Sequence, residues 1–229
     1  MIAQNISHIK AMIREALADA GRTDDVLLVA ATKTRTAEEI QAAIAGGVDA
    51  TAENRIQEFV EKHPQGAYVG KPTHFIGHIQ TNKLKHIVGK VDLIESVDSL
   101  RLAGEINKIC LKEGIIQDVL LEINIGGEEA KHGFSPAEFS DILPAVATLS
   151  AIRVRGLMTV APIVAEKVET LQYMQKMQEI YIDTAHKFYD NIKMEYLSMG
   201  MSGDFREAIA CGANIVRIGT AIFGARDYH

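Results

Sequence analysis

Apolar positions in this chain follow two periods that alternate from end to end. The opening segment places Ile2, Ile6, Ile9, Ile13 and Leu17 at helical spacing and closes on Gly21, the pattern of an amphipathic helix with a glycine stop. Short runs of β-branched and small residues follow, read as strands buried on both faces. They are Val26–Ala31, Val48–Ala52, Thr73–Ile76, Leu93–Glu95, Asp118–Asn124, Arg153–Val160, Met194–Ser198 and Asn214–Ile218. Helical segments are expected between them, near Thr36–Gly46, Glu53–Lys62, Asn82–Val88, Asp98–Lys112, Ser135–Leu149, Val164–Lys187 and Ser202–Cys211. Thr36 with Glu39 reads as a capping box, and the SPAE run at Ser135–Glu138 as a second helix start. In the long sixth segment Val164, Val168, Leu171, Met174, Met177 and Tyr181 fall on one face, so its methionines read as core.

Strands alternating with helices predict an α/β protein, a (β/α)8 TIM barrel in one domain over residues 1–229. A barrel is favoured over an open doubly wound sheet. No GxGxxG follows the first strand, and a helix precedes that strand while little chain follows the eighth. The N-terminal helix is expected to fill the gap that a short eighth helix leaves in the outer ring.

Composition narrows the function. A net charge of −6 without a basic block argues against nucleic acid as a partner. The N-terminus lacks the apolar core of a signal peptide or membrane span, so a cytoplasmic protein is expected, with no membrane partner. Cys110 and Cys211 have no metal-ligand spacing and read as buried thiols. No exposed apolar stripe stands out, which favours a monomer.

The chemistry is concentrated where strands end. Lys33 and Arg35 stand at a helix start, where the dipole favours acids. The seventh strand runs into SMGMSGDF (Ser198–Phe205), whose glycines admit close backbone approach and whose Ser202 is placed to cap the next helix. The eighth ends VRIGT (Val216–Thr220). In a barrel, loops seven and eight commonly bind phosphate, and closure sets strand eight beside strand one, bringing Arg217 to the side of Lys33. A lysine among apolar walls, near a guanidinium, favours its neutral amine, which attacks aldehydes. The site therefore describes a phosphorylated aldehyde, pyridoxal 5′-phosphate foremost. A lysine merely paired with phosphate, and a cofactor-free Schiff-base aldolase, remain open on residue types alone.

The ordered motifs ATKTRT, TAENRIQE, HFIGHIQTNK, ESVDS, GEEAKHGF, RGLMT, SMGMSGDF and VRIGTAIFGARDY resemble the YggS/PROSC family, small pyridoxal-phosphate homeostasis proteins related to the alanine racemase N-terminal barrel. The resemblance covers Leu28 to Tyr228. It implies the cofactor's aldehyde on Lys33 and its phosphate held by Ser202, Gly219 and Thr220. It further implies Arg217 at the pyridine nitrogen, Asn54 near the ring, and Ser198 and Met199 among the cofactor contacts. Ala52 stands where the family has glycine, and Thr36 where proline is usual. The implied role is to hold and deliver the cofactor, with apoenzymes that require it as partners. The alternative is a slow racemase using Lys33 as its base; related racemases add a second domain and a tyrosine, and Tyr228 in the tail is a poor substitute. His74 and His78 share a strand face at a four-residue interval, but without a third ligand nearby in sequence they are not read as a metal site. The Gly126–Phe134 loop, with Lys131 and His132, reads as a solvated connection at the functional end.

Overall fold

The computed structural model describes residues 1–128, 132–162 and 167–225, the last block without the side chain of Lys167. Eight parallel strands close into a barrel in sequence order: β1 Leu27–Ala31, β2 Ala50–Glu53, β3 Thr73–Phe75, β4 Leu93–Val97, β5 Gln117–Glu122, β6 Ile152–Met158, β7 Ile192–Ser198 and β8 Ile215–Ile218. Around them lie α1 Ile2–Asp19, α2 Ala37–Ala45, α3 Ile56–Lys62, α4 Leu100–Glu113, α5 Phe139–Ala147, α6 Lys167–Ala185, α7 Phe205–Ala210 and α8 Thr220–Phe223. Closure is explicit in the β1–β8 ladder, where Leu27 pairs with Ile215, Val29 with Arg217 and Ala30 with Ile218.

Strand alternation sorts side chains into an inner and an outer layer. Val29, Ala50, Ala52, Leu93, Leu120, Met158 and Ile215 form the buried cluster inside the barrel. β2 contributes only the small side chains of Ala50 and Ala52 to this cluster, and Ala52 is fully buried there. A second cluster joins Ile6, Ile9 and Ile13 of α1 to Leu28, Val216, Ile218 and Phe223. The N-terminal helix thus covers the seam that a one-turn α8 leaves bare, and Asn5 Nδ2 donates to Ile222 O at 2.8 Å across it. Burying three isoleucines stabilises this closure by several kcal/mol, at about 2 kcal/mol each.

Most expected elements form, with shifted ends. The Thr36 box is present in both directions. The SPAE run does not start α5: Glu138 N–H bonds back to Ser135 O in a turn, and the helix begins at Phe139 with no side-chain cap. The segment near Asn82 is a 3-10 turn over Thr81–His86 instead of an α-helix. Met174 and Met177 are fully buried, as core methionines should be, but Val168 is exposed and Val164 lies outside the described residues. Both cysteines are free and buried. Among the described residues, no helix is long and apolar enough to cross a membrane.

Candidate functional site at the C-terminal mouth

Lys33 lies two residues past β1, whose Val29 belongs to the cluster inside the barrel, with Leu27 packed against it. It occupies a tight turn closed by Arg35 N–H donating to Thr32 O at 3.1 Å. Its neighbour Thr34 has φ +65°, the only positive φ on a non-glycine among the described residues, which costs about 1–2 kcal/mol. A polar cluster holds that strained turn. Glu58 Oε2 accepts Thr34 N–H at 2.7 Å, and Lys62 Nζ donates to Thr32 O at 3.1 Å. Lys62 also bonds Glu53 Oε2 at 2.9 Å and Glu58 Oε2 at 2.6 Å. Thr32 Oγ1 and Tyr68 OH both donate to the fully buried Glu53 carboxylate. Burial pushes the Glu58 carboxyl up, but the bonds from Lys62 and Thr34 outweigh it and hold it below the usual range. Burial and the charge of Glu53 push the Tyr68 phenol well up.

Arg35 has a structural use. Its guanidinium donates to Gly224 O at 2.7 Å and Ala225 O at 3.3 Å, and lies 5.3 Å over the Phe223 ring. It meets the carbonyl end of α8, where a cation is favoured, and so ties the β1 turn to the residues that follow α8.

The barrel floor below the mouth is charged. Arg217, 4% exposed, donates to Ser198 Oγ at 2.5 Å and to Thr159 O at 2.8 Å. Ser198 Oγ in turn donates to Glu95 Oε2 at 2.6 Å, and His74 Nδ1 lies 2.6 Å from Glu95 Oε1. Burial pushes the Glu95 carboxyl up, yet the hydrogen bond and charge of His74, the Arg217 charge and the Ser198 bond prevail, holding it below its ordinary value. Four side chains from β3, β4, β7 and β8 thus lock one another in place. The β1–β8 register sets Arg217 level with Val29. It therefore sits deeper than the Lys33 turn, rather than at its side as strand order alone had suggested.

The loops after β7 and β8 meet above that floor. Ser202 Oγ accepts Ala221 N–H at 3.4 Å, so Ser202 joins the start of α8 instead of capping α7, whose cap position is Asp204. Asp204 Oδ1 accepts Met201 N–H at 2.6 Å and holds the loop's shape. Gly200 has φ +94°, and a Cβ there would come within 2.6 Å of Ala208 Cβ, so only glycine allows the chain to pass α7. Gly219 and Thr220 open α8, with Gly219 packed near Ala31 O at the top of β1. The Met199 side chain, fully buried, belongs to the layer between barrel and helices, which leaves only its backbone to approach a ligand.

Asn54 follows β2, its N–H on Glu53 Oε1 at 2.7 Å. Its side-chain Oδ1 is buried and finds no hydrogen-bond donor. Gly77 packs against it so closely that a Cβ would lie 1.8 Å from Asn54 O. His74 and His78 part company: β3 ends at Phe75, His74 is buried on Glu95, and His78 lies beyond the strand, partly exposed, on Asp98 at 3.0 Å. Lys131 and Tyr228 lie outside the described residues.

Sequence reading missed Glu53, Glu58, Lys62, Glu95 and Thr159. A signal existed for Glu53 and Glu95, since an acid inside an otherwise apolar strand run must find a partner when buried. Glu122, at the end of β5, was also passed over. Burial, together with the Asp98 charge and against that of Arg217, raises its carboxyl to about 7.

A closed parallel barrel with a turn-borne lysine and a two-loop cradle at its mouth defines a recognisable class. Residues 2–227 match the family model described as alanine racemase, N-terminal domain. The chain belongs to that family and, within it, to the pyridoxal phosphate homeostasis proteins. It is 39% identical over 226 residues to the pyridoxal phosphate homeostasis protein of Aquifex aeolicus, covering 98% of each chain. The structure of PipY from Synechococcus elongatus with pyridoxal phosphate bound superposes with TM-score 0.85 at 28% identity, over 98% of this chain and 100% of that one. An alanine racemase of Clostridium difficile shares the fold alone, with TM-score 0.74 at 18% identity, covering 94% of this chain and 60% of the racemase.

Proposed function

We propose that this protein binds pyridoxal 5′-phosphate as a Schiff base on Lys33 and serves to hold and deliver the cofactor, without robust catalysis of its own. One observation carries the reading: ring closure brings the Lys33 turn and the Ser202–Ala221 junction to the same mouth, over the Arg217–Ser198–Glu95–His74 floor. The residues fit the group. The meeting of Ser202 with the start of α8 offers hydroxyls and backbone N–H groups to an anion. The buried, unsatisfied Oδ1 of Asn54 suits a hydroxyl donor on the ring. Relatives named for pyridoxal phosphate homeostasis, and PipY with pyridoxal phosphate bound, support the same ligand.

When bound, the cofactor supplies an aldehyde and an electron sink, and the protein sets the strength of that sink. An arginine is no practical proton donor, and the Arg217 guanidinium is committed to Ser198 and Thr159. Placed toward the ring nitrogen, it would give that nitrogen no proton, and carbanion stabilisation would be weaker. The tyrosine beneath the Lys33 turn is a poor second base. Tyr68 is buried, bonded to Glu53, with its phenol pushed well up.

The test is direct. Cofactor-free protein is mixed with pyridoxal phosphate and then with L-amino acids in deuterated water. The expected outcome is an imine band near ~420 nm, negligible α-proton exchange, and transfer of cofactor to an apoenzyme that requires it. Turnover at enzymatic rates would favour the racemase reading, in which Lys33 is the single base.

A further inference from the structure

Three connections at the mouth bring together side chains far apart in sequence: His78 after β3, Asp98 after β4 and His132 after β5. Their ligand atoms all lie within 4.8 Å of one another. Asp98 Oδ2 is 3.0 Å from His78 Nδ1 and 3.8 Å from His132 Nδ1. The two imidazoles stack, with centroids 3.7 Å apart and 9° between planes. Two imidazole nitrogens and one carboxylate oxygen form a donor set suited to Zn2+ and its neighbours. The edge of a tetrahedron around zinc, at its usual bond lengths, is about 3.3–3.5 Å. The two Asp98 spacings bracket that value and the imidazole nitrogens lie within 4.8 Å of each other, so turning the stacked rings out of parallel would point all three atoms at one ion.

The carboxylate is already aimed. Ser99 Oγ donates to Asp98 Oδ1 at 2.9 Å while accepting Leu102 N–H as the cap of α4. Fixing one oxygen from a rigid helix start leaves the other turned to the histidines, the kind of outer support that ligating carboxylates have. The cluster lines an open groove of about 760 Å3 shared with Gln80, Thr81 and Asn82. Arg101 is the cation of this wall, and its guanidinium reaches Thr81 Oγ1 at 3.4 Å. His78 also borders the smaller cavity that contains Asn54. The histidines are about half exposed, 45% and 53% at the side chain, so an ion has an entry path.

We propose that His78, Asp98 and His132 form a site for a borderline divalent transition metal, Zn2+ first, with a fourth position open to the groove. Three protein ligands and one exchangeable position are the pattern of an open zinc site, in contrast to a closed structural one. The ion ties the β3, β4 and β5 connections together on the side of the mouth away from the Ser202–Ala221 junction. The site is separate from the lysine chemistry and is tested without it.

Untagged, chelator-stripped, cofactor-free protein is titrated with Zn2+ by calorimetry, and with Co2+ by visible absorption. The expected result is one equivalent of Zn2+ bound, with visible Co2+ bands, and at least tenfold weaker binding in each of His78→Ala, Asp98→Asn and His132→Ala. His8→Ala, an exposed histidine on α1, binds as the wild type does. Wild-type protein that binds Zn2+ no more tightly than the His78→Ala/His132→Ala double variant would overturn the site and leave only a hydrogen-bonded cluster. Because no pyridoxal phosphate is present, that result says nothing against the cofactor reading.

Discussion

Arg217 of β8 pairs with Val29 of β1, one step below the point where Gly219 packs against Ala31. This single register relation orders the mouth in depth: a fixed cation in the floor, a glycine turn above it, and the Lys33 turn at the rim. Everything proposed for the cofactor depends on that stacking.

The phosphate side predicts a graded effect. Replacing Thr220 with valine removes a hydroxyl from the start of α8, next to the Ser202–Ala221 contact. Cofactor retention should weaken by about 1–2 kcal/mol, the scale of one hydrogen bond to a charged group. Equilibrium dialysis of pyridoxal phosphate measures it, and unchanged affinity would remove Thr220 from the cradle.

The cluster under the Lys33 turn predicts a stability effect that is measured without any ligand. Lys62 is 9% exposed at its side chain and bonds the fully buried Glu53. Lys62→Met strands that carboxylate and should cost about 3–5 kcal/mol in urea denaturation. A loss below 1 kcal/mol would show that the cluster contributes little.

Thr34 should respond in the opposite sense. Thr34→Gly relieves the left-handed strain, offset by the added chain entropy, for a net gain of about 1 kcal/mol or less. Because the turn is then less constrained, imine formation on Lys33 should slow while stability rises. Stopped-flow absorbance and thermal unfolding, measured on the same sample, separate the two. A stability loss would mean the turn is not strained.

Glu122 gives a pH test. Its folded carboxyl is raised to about 7, above its ordinary value of 4.5. A raised folded value stabilises fully below the unfolded pKa, and the contribution is lost as pH rises through 7. Between about pH 5 and pH 8, cofactor-free, chelator-treated wild type should lose up to about 3 kcal/mol. Glu122→Gln should lack that component, so its profile should be shallower by the same amount. Parallel pH profiles for the two would place the carboxyl in ordinary solvent.

How far the sequence could be read is clear from particular residues. The apolar runs around Val29, Leu120 and Ile215 announced the strands, because a buried parallel strand leaves no alternative to continuous apolar character. Glycine at 200 announced the first cradle loop, because that backbone turns with positive φ in little space. The SPAE turn was misread because capping preferences are local, while α5 begins where Phe139 reaches the core. Ser202 was assigned to the wrong helix because its partner, Ala221, lies 19 residues on. The floor network and the His78–Asp98–His132 cluster were invisible for one shared reason. Each is assembled from side chains on different strands or on the connections that follow them, and only the folded barrel reveals which of them meet.

The central claim is that one amine at the rim holds the cofactor. Borohydride reduction of the pyridoxal-phosphate-loaded protein, followed by peptide mapping, tests it most directly. The account predicts a phosphopyridoxyl adduct on Lys33 and none in Lys33→Ala; an adduct on another lysine, or no adduct at all, would contradict it.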